Sequence, residues 1–192
     1  MEFYLNPDRE RMNLTLVMAL LVNGRTVLED FSWASGSERF ALALKEFGLE
    51  YSLQGHQLVL DGKGFQYMLP SMLPFGFGER DDVLLWTLAS KDAEQLYTVA
   101  AENDEAGIAR VSAAKQLLQK YFKINVQVDE PAKLVFTFCA DEPNIKKDSL
   151  GNVSPVLRNR MLLRALVRSE YLSFEEKSTV HDQWTRMLMY FG

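Results

Sequence analysis

The chain has 192 residues, with 21 Lys and Arg against 26 Asp and Glu for a net charge of −5, and 47% of its residues are hydrophobic. This composition excludes a disordered chain, and its acidic balance argues against nucleic acid or an anionic membrane surface as the main partner. The longest apolar run, Leu16 to Val22, falls far short of the roughly 20 residues a spanning helix needs, so no membrane crossing is expected.

The N-terminal stretch MEFYLNPDRERMN is charged where a secretory signal would be apolar, and no signal is expected. A single cysteine, Cys139, cannot form an internal disulfide, and two histidines, His56 and His181, make a His-based metal site unexpected. The expected compartment is the reducing cytoplasm. A strand is predicted at Phe3 to Leu5. From Asn13 to Gly24, apolar residues at Leu14, Val17, Met18 and Leu21 form a helical stripe. Leu16, Ala19, Leu20 and Val22 fill the other faces, so this helix should be buried nearly all round, with Gly24 as its C-cap. Thr26 to Leu28 reads as a short strand. Ser35-Gly36-Ser37-Glu38 supplies helix-start chemistry for a stripe of Phe40, Leu44 and Phe47 that ends at Gly48. Leu49 to Leu53 and Leu58 to Leu60 read as strands joined by a tight hairpin at Gly55-His56.

The same order of elements recurs. Val83 to Leu88 is an apolar helix, Gln95 to Ala101 a strand, and Leu117 to Phe122 the end of a second helix. Strands follow at Ile124 to Val128 and Leu134 to Phe138. A third buried helix spans Leu157 to Leu166, and MetLeuMetTyrPheGly at 187–192 matches AlaLeuLysGluPheGly at 43–48. The organisation inferred is a single domain over 1–192 with three repeats, about 1–68, 69–145 and 146–192, the third incomplete. Pro70 to Gly78 and Asp141 to Gly151 are the connectors between repeats.

Two strings carry a family resemblance. Asp8-Arg9-Glu10-Arg11-Met12-Asn13-Leu14, running into a Leu-rich helix and Arg25-Thr26-Val27-Leu28, is one. Val153-Ser154-Pro155-Val156-Leu157-Arg158 with the MLLRAL helix, followed by His181-Asp182-Gln183-Trp184-Thr185-Arg186-Met187-Leu188, is the other. The chain resembles the enolpyruvyl transferases, most closely the 5-enolpyruvylshikimate-3-phosphate synthase type, over almost its whole length. The resemblance implies an α/β fold: a pseudo-threefold repeat of βαβαββ units with buried helices and outer sheets, an inside-out barrel-like domain that is one of the family's two. It also implies a transferase of the shikimate pathway of aromatic amino acid biosynthesis, a 3-phosphoshikimate 1-carboxyvinyltransferase, needing no cofactor and no metal. The implied partners are a phosphorylated small molecule such as shikimate 3-phosphate and a second domain or protein chain.

The family's reaction gathers two phosphates and a carboxylate, which calls for several Lys or Arg donors. Residue by residue, much of that set is substituted. The family's early lysine falls on Arg9 and the following serine on Glu10, whose charge would repel a phosphate. The arginine that opens the first helix falls on Leu14, with Arg11 nearby. The Asn-Ala-Gly-Thr loop that presents backbone N–H groups to phosphoenolpyruvate falls on Phe77-Gly78-Glu79-Arg80, and the helix arginine after it on Val83. The Arg-Pro motif falls near Ala109-Arg110. Of Ser-Ser-Gln only Ser154 survives, and in the last helix Asp182 and Arg186 survive beside Gln183 and Thr185. The implied remnant substrate-binding residues are Arg9, Arg11, Ser154, Arg158 and Asp182, expected on one side of the molecule, and no catalytic residue is assigned.

Plainer roles compete for each position. Arg9, Arg11 and Arg25 form either an anion pocket at a helix N-terminus or a solvated basic patch. Ser154-Pro155 is good capping chemistry, and Asp182 suits a helix start. Glu79-Arg80-Asp81-Asp82 is a cation site or a charged first turn, and Trp33, Trp86 and Trp184 are a stacking set or core. The functional readings are then three: a degenerate enolpyruvyl-transferase-like domain without full activity alone, half of a two-chain enzyme binding shikimate 3-phosphate, or a binding or assembly module on the same scaffold.

Overall fold

The computed structural model describes residues 8–124, 126–139 and 154–168. The strand expected at Phe3 to Leu5, the connector from Asp141, Asp182, Trp184 and the end of the third repeat lie outside those residues. The chain divides between Leu69 and Pro70 into two compact units, close to the first repeat boundary read from the sequence. Each is a mixed α and β structure with a small antiparallel sheet.

In the first unit, α1 (Arg9–Leu21) is capped by Asp8, whose carboxylate accepts the Glu10 N–H at 2.9 Å. Every residue from Met12 to Leu21 is buried, as the all-round apolar pattern demands. The helix starts one turn earlier than the apolar stripe does, so Asn13 lies inside it rather than at its start. Its C-terminus also differs from expectation. Val22 is the extended C-cap, its N–H donating to Met18 O at 3.1 Å, and the chain enters β1 (Asn23–Leu28) at once. Gly24 is therefore a strand residue, because a β-branched cap already set in extended geometry leaves no turn for a left-handed glycine to close.

Next come α2 (Ser37–Lys45), β2 (Glu50–Gln54) and β3 (Gln57–Lys63). The Gln54↔Gln57 pairing makes the two-residue hairpin at Gly55-His56, with Gly55 at φ 64°. The strand order is β1-β3-β2, with Thr26 opposite Leu60 and Leu28 opposite Leu58. Leu58 and Leu60 point to the helices and are fully buried. α1 packs on both β3 and α2. It approaches β3 so closely that a Cβ on Gly62 would overlap the carbonyls of Ala19 and Val22.

The second unit repeats the plan: α3 (Glu79–Ala89), β4 (Tyr97–Ala100), α4 (Glu105–Phe122), β5 (Gln127–Glu130) and β6 (Lys133–Phe136), with strand order β4-β6-β5. Residues Asp81 to Ala89 are all buried. The expected strand at Ile124 begins at Gln127 instead. Lys123 leaves α4 in the left-handed region at φ 52°, and Ile124 is then buried in the core. Trp86, Tyr97, Phe122, Phe136 and Phe138 form an aromatic core with ring centroids 5.1–6.4 Å apart. Ahead of α3, Met72 bridges Thr98 in parallel, with Thr98 N–H to Ser71 O and Leu73 N–H to Thr98 O both 2.8 Å. The Ser71 to Leu73 part of the connector is thus bound to the sheet rather than being a plain link.

The last described element, α5 (Pro155–Arg168), packs on α3. Arg168 Nε and Nη2, at its C-terminal end, donate to Ser90 O, the α3 C-cap, at 2.9 and 2.6 Å. Arg160, nearer the start, has Cζ 4.3 Å from the Phe122 ring, which itself lies 6.4 Å from Trp86 in mid-α3. Both ties require α3 and α5 to run in the same direction, so their N-termini share one end of the unit. α5 is not buried all round as expected. Asn159, Arg160, Met161, Leu163 and Val167 face inward, while Leu157, Leu162 and Leu166 are half-buried. Arg158 and Arg164 break the apolar pattern and are half-buried, whereas Arg160 is taken inward against Phe122. Neither three-stranded sheet closes on itself among the described residues, and no helix there is long and apolar enough to cross a membrane.

Candidate functional site

Two helix N-termini concentrate polar chemistry, one in each unit. In the second unit, the loop Pro74 to Gly78 folds over the start of α3. Trp86 Nε1 donates to Pro74 O at 3.2 Å, fixing one end of the loop. Gly76 N–H donates to Asp82 Oδ2 at 3.2 Å and Phe77 N–H to Asp82 Oδ1 at 3.0 Å, and Asp82 is 4% exposed. Two successive backbone donors beside a helix N-terminus are an anion-binding concavity. Here it is occupied by the carboxylate of the chain itself.

The flanking Glu79 is turned elsewhere. It accepts from Lys120 Nζ at 2.7 Å and from the Tyr121 hydroxyl. These bonds, that to Lys120 first, hold its carboxyl below the usual glutamate value, and the same bond raises the Lys120 ammonium. Glu79, Asp81 and Asp82 thus do not act together on a cation. No group of three or more His, Cys, Asp or Glu side chains among the described residues could hold a metal ion. At the same end of the unit, Ser154 accepts the Leu157 N–H on its Oγ at 3.4 Å, and its carbonyl accepts the Arg158 N–H at 3.0 Å. That is the N-cap role, with Pro155 at the first helical position. Arg158 is half-buried in the first turn of α5.

In the first unit, Arg9 and Arg11 are both exposed in the first turn of α1. Arg11 Nε lies 3.7 Å from Asp8 Oδ2, an exposed pair. Arg25 does not join them: it sits on β1, beyond the far end of a helix about 20 Å long, with Nε 3.1 Å from Asp61 Oδ1 on the neighbouring strand. Arg9 reaches across to α2. Its Nη1 lies 3.2 Å from where a Cβ on Gly36 would stand, so the guanidinium rests against a residue that has no side chain. Gly36 is the N-cap of α2 at φ 81°, with no side-chain cap. The helix start expected over Ser35 to Glu38 lies there, with Gly36 as the N-cap and Ser37 as the first helical residue, its side chain fully buried.

Two buried residues here were not singled out by the sequence. Asn13 is 0% exposed with neither Nδ2 nor Oδ1 hydrogen-bonded, and Ser37 is 0% exposed with its Oγ unpartnered. Leaving such groups unmet costs about 1–3 kcal/mol each. An amide inside an apolar helical stripe was the available signal, hidden because the stripe itself placed the helix start at Asn13.

The tryptophans do not form a stacking set within the described residues. Trp86 is fully buried core, and Trp33 packs edge-on against Phe31 and Tyr51 at 4.8 and 5.8 Å. Asp182 lies outside the described residues. Of the other four expected residues, Arg9 and Arg11 belong to the first unit and Ser154 and Arg158 to the second. Comparison of the chain with protein-family models and with curated protein sequences found no match.

Proposed function

We propose that this chain is an enolpyruvyl-transferase-like scaffold that does not itself transfer enolpyruvyl groups. The observation that carries the reading is the Asp82 carboxylate held by the N–H groups of Gly76 and Phe77. In the family it resembles, the corresponding loop offers its N–H groups to phosphoenolpyruvate. In this chain Asp82 takes the N–H of Phe77, the first residue of the matching stretch, together with that of Gly76 just before it. An incoming phosphoenolpyruvate would have to displace that carboxylate and then lie beside it, and two unit charges 4 Å apart repel by about 4 kcal/mol near a protein surface.

The scaffold half of the reading draws support from the matching strand orders, β1-β3-β2 and β4-β6-β5, each following the same helix–strand–helix sequence. The parallel Met72 bridge stands where the first strand of a βαβαββ unit would be. α5 would then open a third unit, and the three units would form the inside-out arrangement of the family's domain. Residual recognition of a phosphorylated small molecule, or of a second domain or chain, would draw on the residues that the resemblance marks, Arg9, Arg11, Ser154, Arg158 and Asp182.

The test is phosphate release from phosphoenolpyruvate in the presence of shikimate 3-phosphate. The expected rate equals that of buffer. A rate above buffer, lost on replacing Arg9 or Arg158 by Ala, would overturn the reading.

A further inference from the structure

The sheet of the first unit ends on one side at β2, and among the described residues no strand pairs with its outer edge. An open edge offers unpaired N–H and C=O groups to another strand, and proteins ordinarily blunt such edges with lysine, proline or a bulge. β5, an edge of the second sheet, has a register shift between Val128 and Glu130 and two successive acids, Asp129 and Glu130. β2 has no lysine, proline or bulge: its sequence is Glu-Tyr-Ser-Leu-Gln and its register with β3 is unbroken. Its one charge, Glu50, is already paired with Lys63 Nζ at 2.6 Å. On the helix-facing side this edge is apolar. Tyr51 and Leu53 lie opposite the buried Leu60 and Leu58, yet Leu53 is 56% exposed. Tyr51 is half-buried, with the half-buried Trp33 and Phe31 packed edge-on beyond it. On α2, Glu38, Leu42 and Lys45 form one stripe. Lys45 Nζ sits 4.4 Å from the centre of the Tyr51 ring, and burial first, then Glu38, push the Tyr51 hydroxyl up, so the stripe runs along the β2 edge. Leu42 within it is 51% exposed.

We propose that β2 pairs antiparallel with β2 of a second copy of this chain, about a two-fold axis at Ser52, joining the two three-stranded sheets into one. The register follows from the hairpin. In a two-residue hairpin the closing pair, here Gln54 and Gln57, exchanges both its hydrogen bonds, and every second pair along the ladder does the same. Glu50, Ser52 and Gln54 therefore direct their backbone groups to β3, and those of Tyr51 and Leu53 point outward. An axis at Ser52 sets Tyr51 against Leu53 of the second copy, twice, and each such pair exchanges two backbone hydrogen bonds. It also sets Glu50 against Gln54 and Ser52 against Ser52, so the whole strand is paired and no like charges meet. The same axis reverses the α2 stripe of the second copy. Glu38 is then turned toward the Lys45 end of the opposing stripe, and the exposed Leu42 and Leu53 are covered.

The pairing does not rest on the enolpyruvyl reading, and its readout is the state of association rather than activity. Sedimentation of the full chain up to about 0.5 mM, a range suited to the small area that strand addition buries, should show a monomer–dimer equilibrium. Hydrogen exchange at the Tyr51 and Leu53 amides should slow as the dimer fills. Ser52→Lys, at an exposed position, should stay folded and weaken association at least about ten-fold, because like charges then face each other across the axis. Ser52→Glu should do the same. An equimolar mixture of the two variants should dimerise again, which a misfolded variant could not do. A chain that stays monomeric throughout the range, assembly beyond the dimer, a dimer that Ser52→Lys leaves intact, a mixture that remains monomeric, or exchange at Tyr51 and Leu53 that ignores concentration would each overturn the proposal.

Discussion

Glu79 shows how a surface carboxylate is committed to structure at the residue scale. Its bonds to Lys120 and Tyr121 tie the start of α3 to the end of α4, and they hold its carboxyl below the ordinary value of 4.5. A depressed carboxylate stabilises the folded state fully above its ordinary value, and that contribution is lost as pH falls through the folded one. The side chain is 44% exposed, so solvent screening keeps the effect in the surface range. Glu79→Gln should cost about 0.5–1 kcal/mol at pH 7, and the difference from wild type should vanish well below the ordinary glutamate value. Urea unfolding at both pH values measures it, and an unchanged difference in acid would contradict the assignment. Tyr97 is the buried counterpart. Burial first, then Asp92, pushes its hydroxyl far up, with Arg168 partly offsetting them. That hydroxyl donates to Ala89 O at 2.7 Å and helps close the end of α3. Tyr97→Phe should therefore cost about 1–2 kcal/mol, the net worth of a buried hydrogen bond with its acceptor left short.

At the scale of elements, the contact of α1 with β3 depends on one missing side chain. The carbonyls of Ala19 in α1 and of its C-cap Val22 occupy the space that a Cβ at Gly62 would need, and backbone, unlike a side-chain tip, cannot move aside. Gly62→Ala should cost about 3 kcal/mol, at the upper end of overpacking. Gly55 in the hairpin is the control. A Cβ there meets nothing within 4 Å, and only its φ of 64° is unfavourable. Gly55→Ala should cost about 1 kcal/mol. Equal melting-temperature losses for the two variants would mean that α1 does not lie as close to the sheet as described. The run Gly62-Lys63-Gly64 is accordingly a packing feature, in keeping with its lack of a phosphate-loop spacing.

For the molecule as a whole, the two units share connectivity and sheet order but not site chemistry. One keeps the Asn13 amide and the Ser37 hydroxyl buried and unmet, and the other neutralises its loop donors from within. The second unit carries its own aromatic core around Trp86 and Tyr97, so residues 70–177 expressed alone should fold. Trp86 is the one tryptophan in that span and is fully buried, so its fluorescence should be blue-shifted and should melt cooperatively. Water-exposed emission from the isolated span would show that this core needs the rest of the chain.

The order of helices and strands was legible in the residues, while several of their ends, as at Arg9, Val22 and Gln127, were not. The stripes at Leu14 to Leu21 and Val83 to Leu88, the alternation around Gly55-His56 and the recurrence of element order all express backbone periods of 3.6 and 2, and these depend only on residues a few positions apart. Burial all round followed for α1 and α3 because their apolar residues fill every face past the first turn, and it failed for α5 where Arg158 and Arg164 interrupt the apolar pattern. Tertiary structure alone decided which polar groups meet. Asp82 turns back onto Gly76 and Phe77, Arg25 faces Asp61 across a strand pair, Arg9 crosses to Gly36, and Asn13 and Ser37 are left without partners. A hydrogen bond is made or lost within a few tenths of an ångström, and that distance is set by how closely elements far apart in the chain pack together, as α1 is allowed to pack on β3 by Gly62. Hydropathy periodicity records that a face is buried, but not what it is buried against.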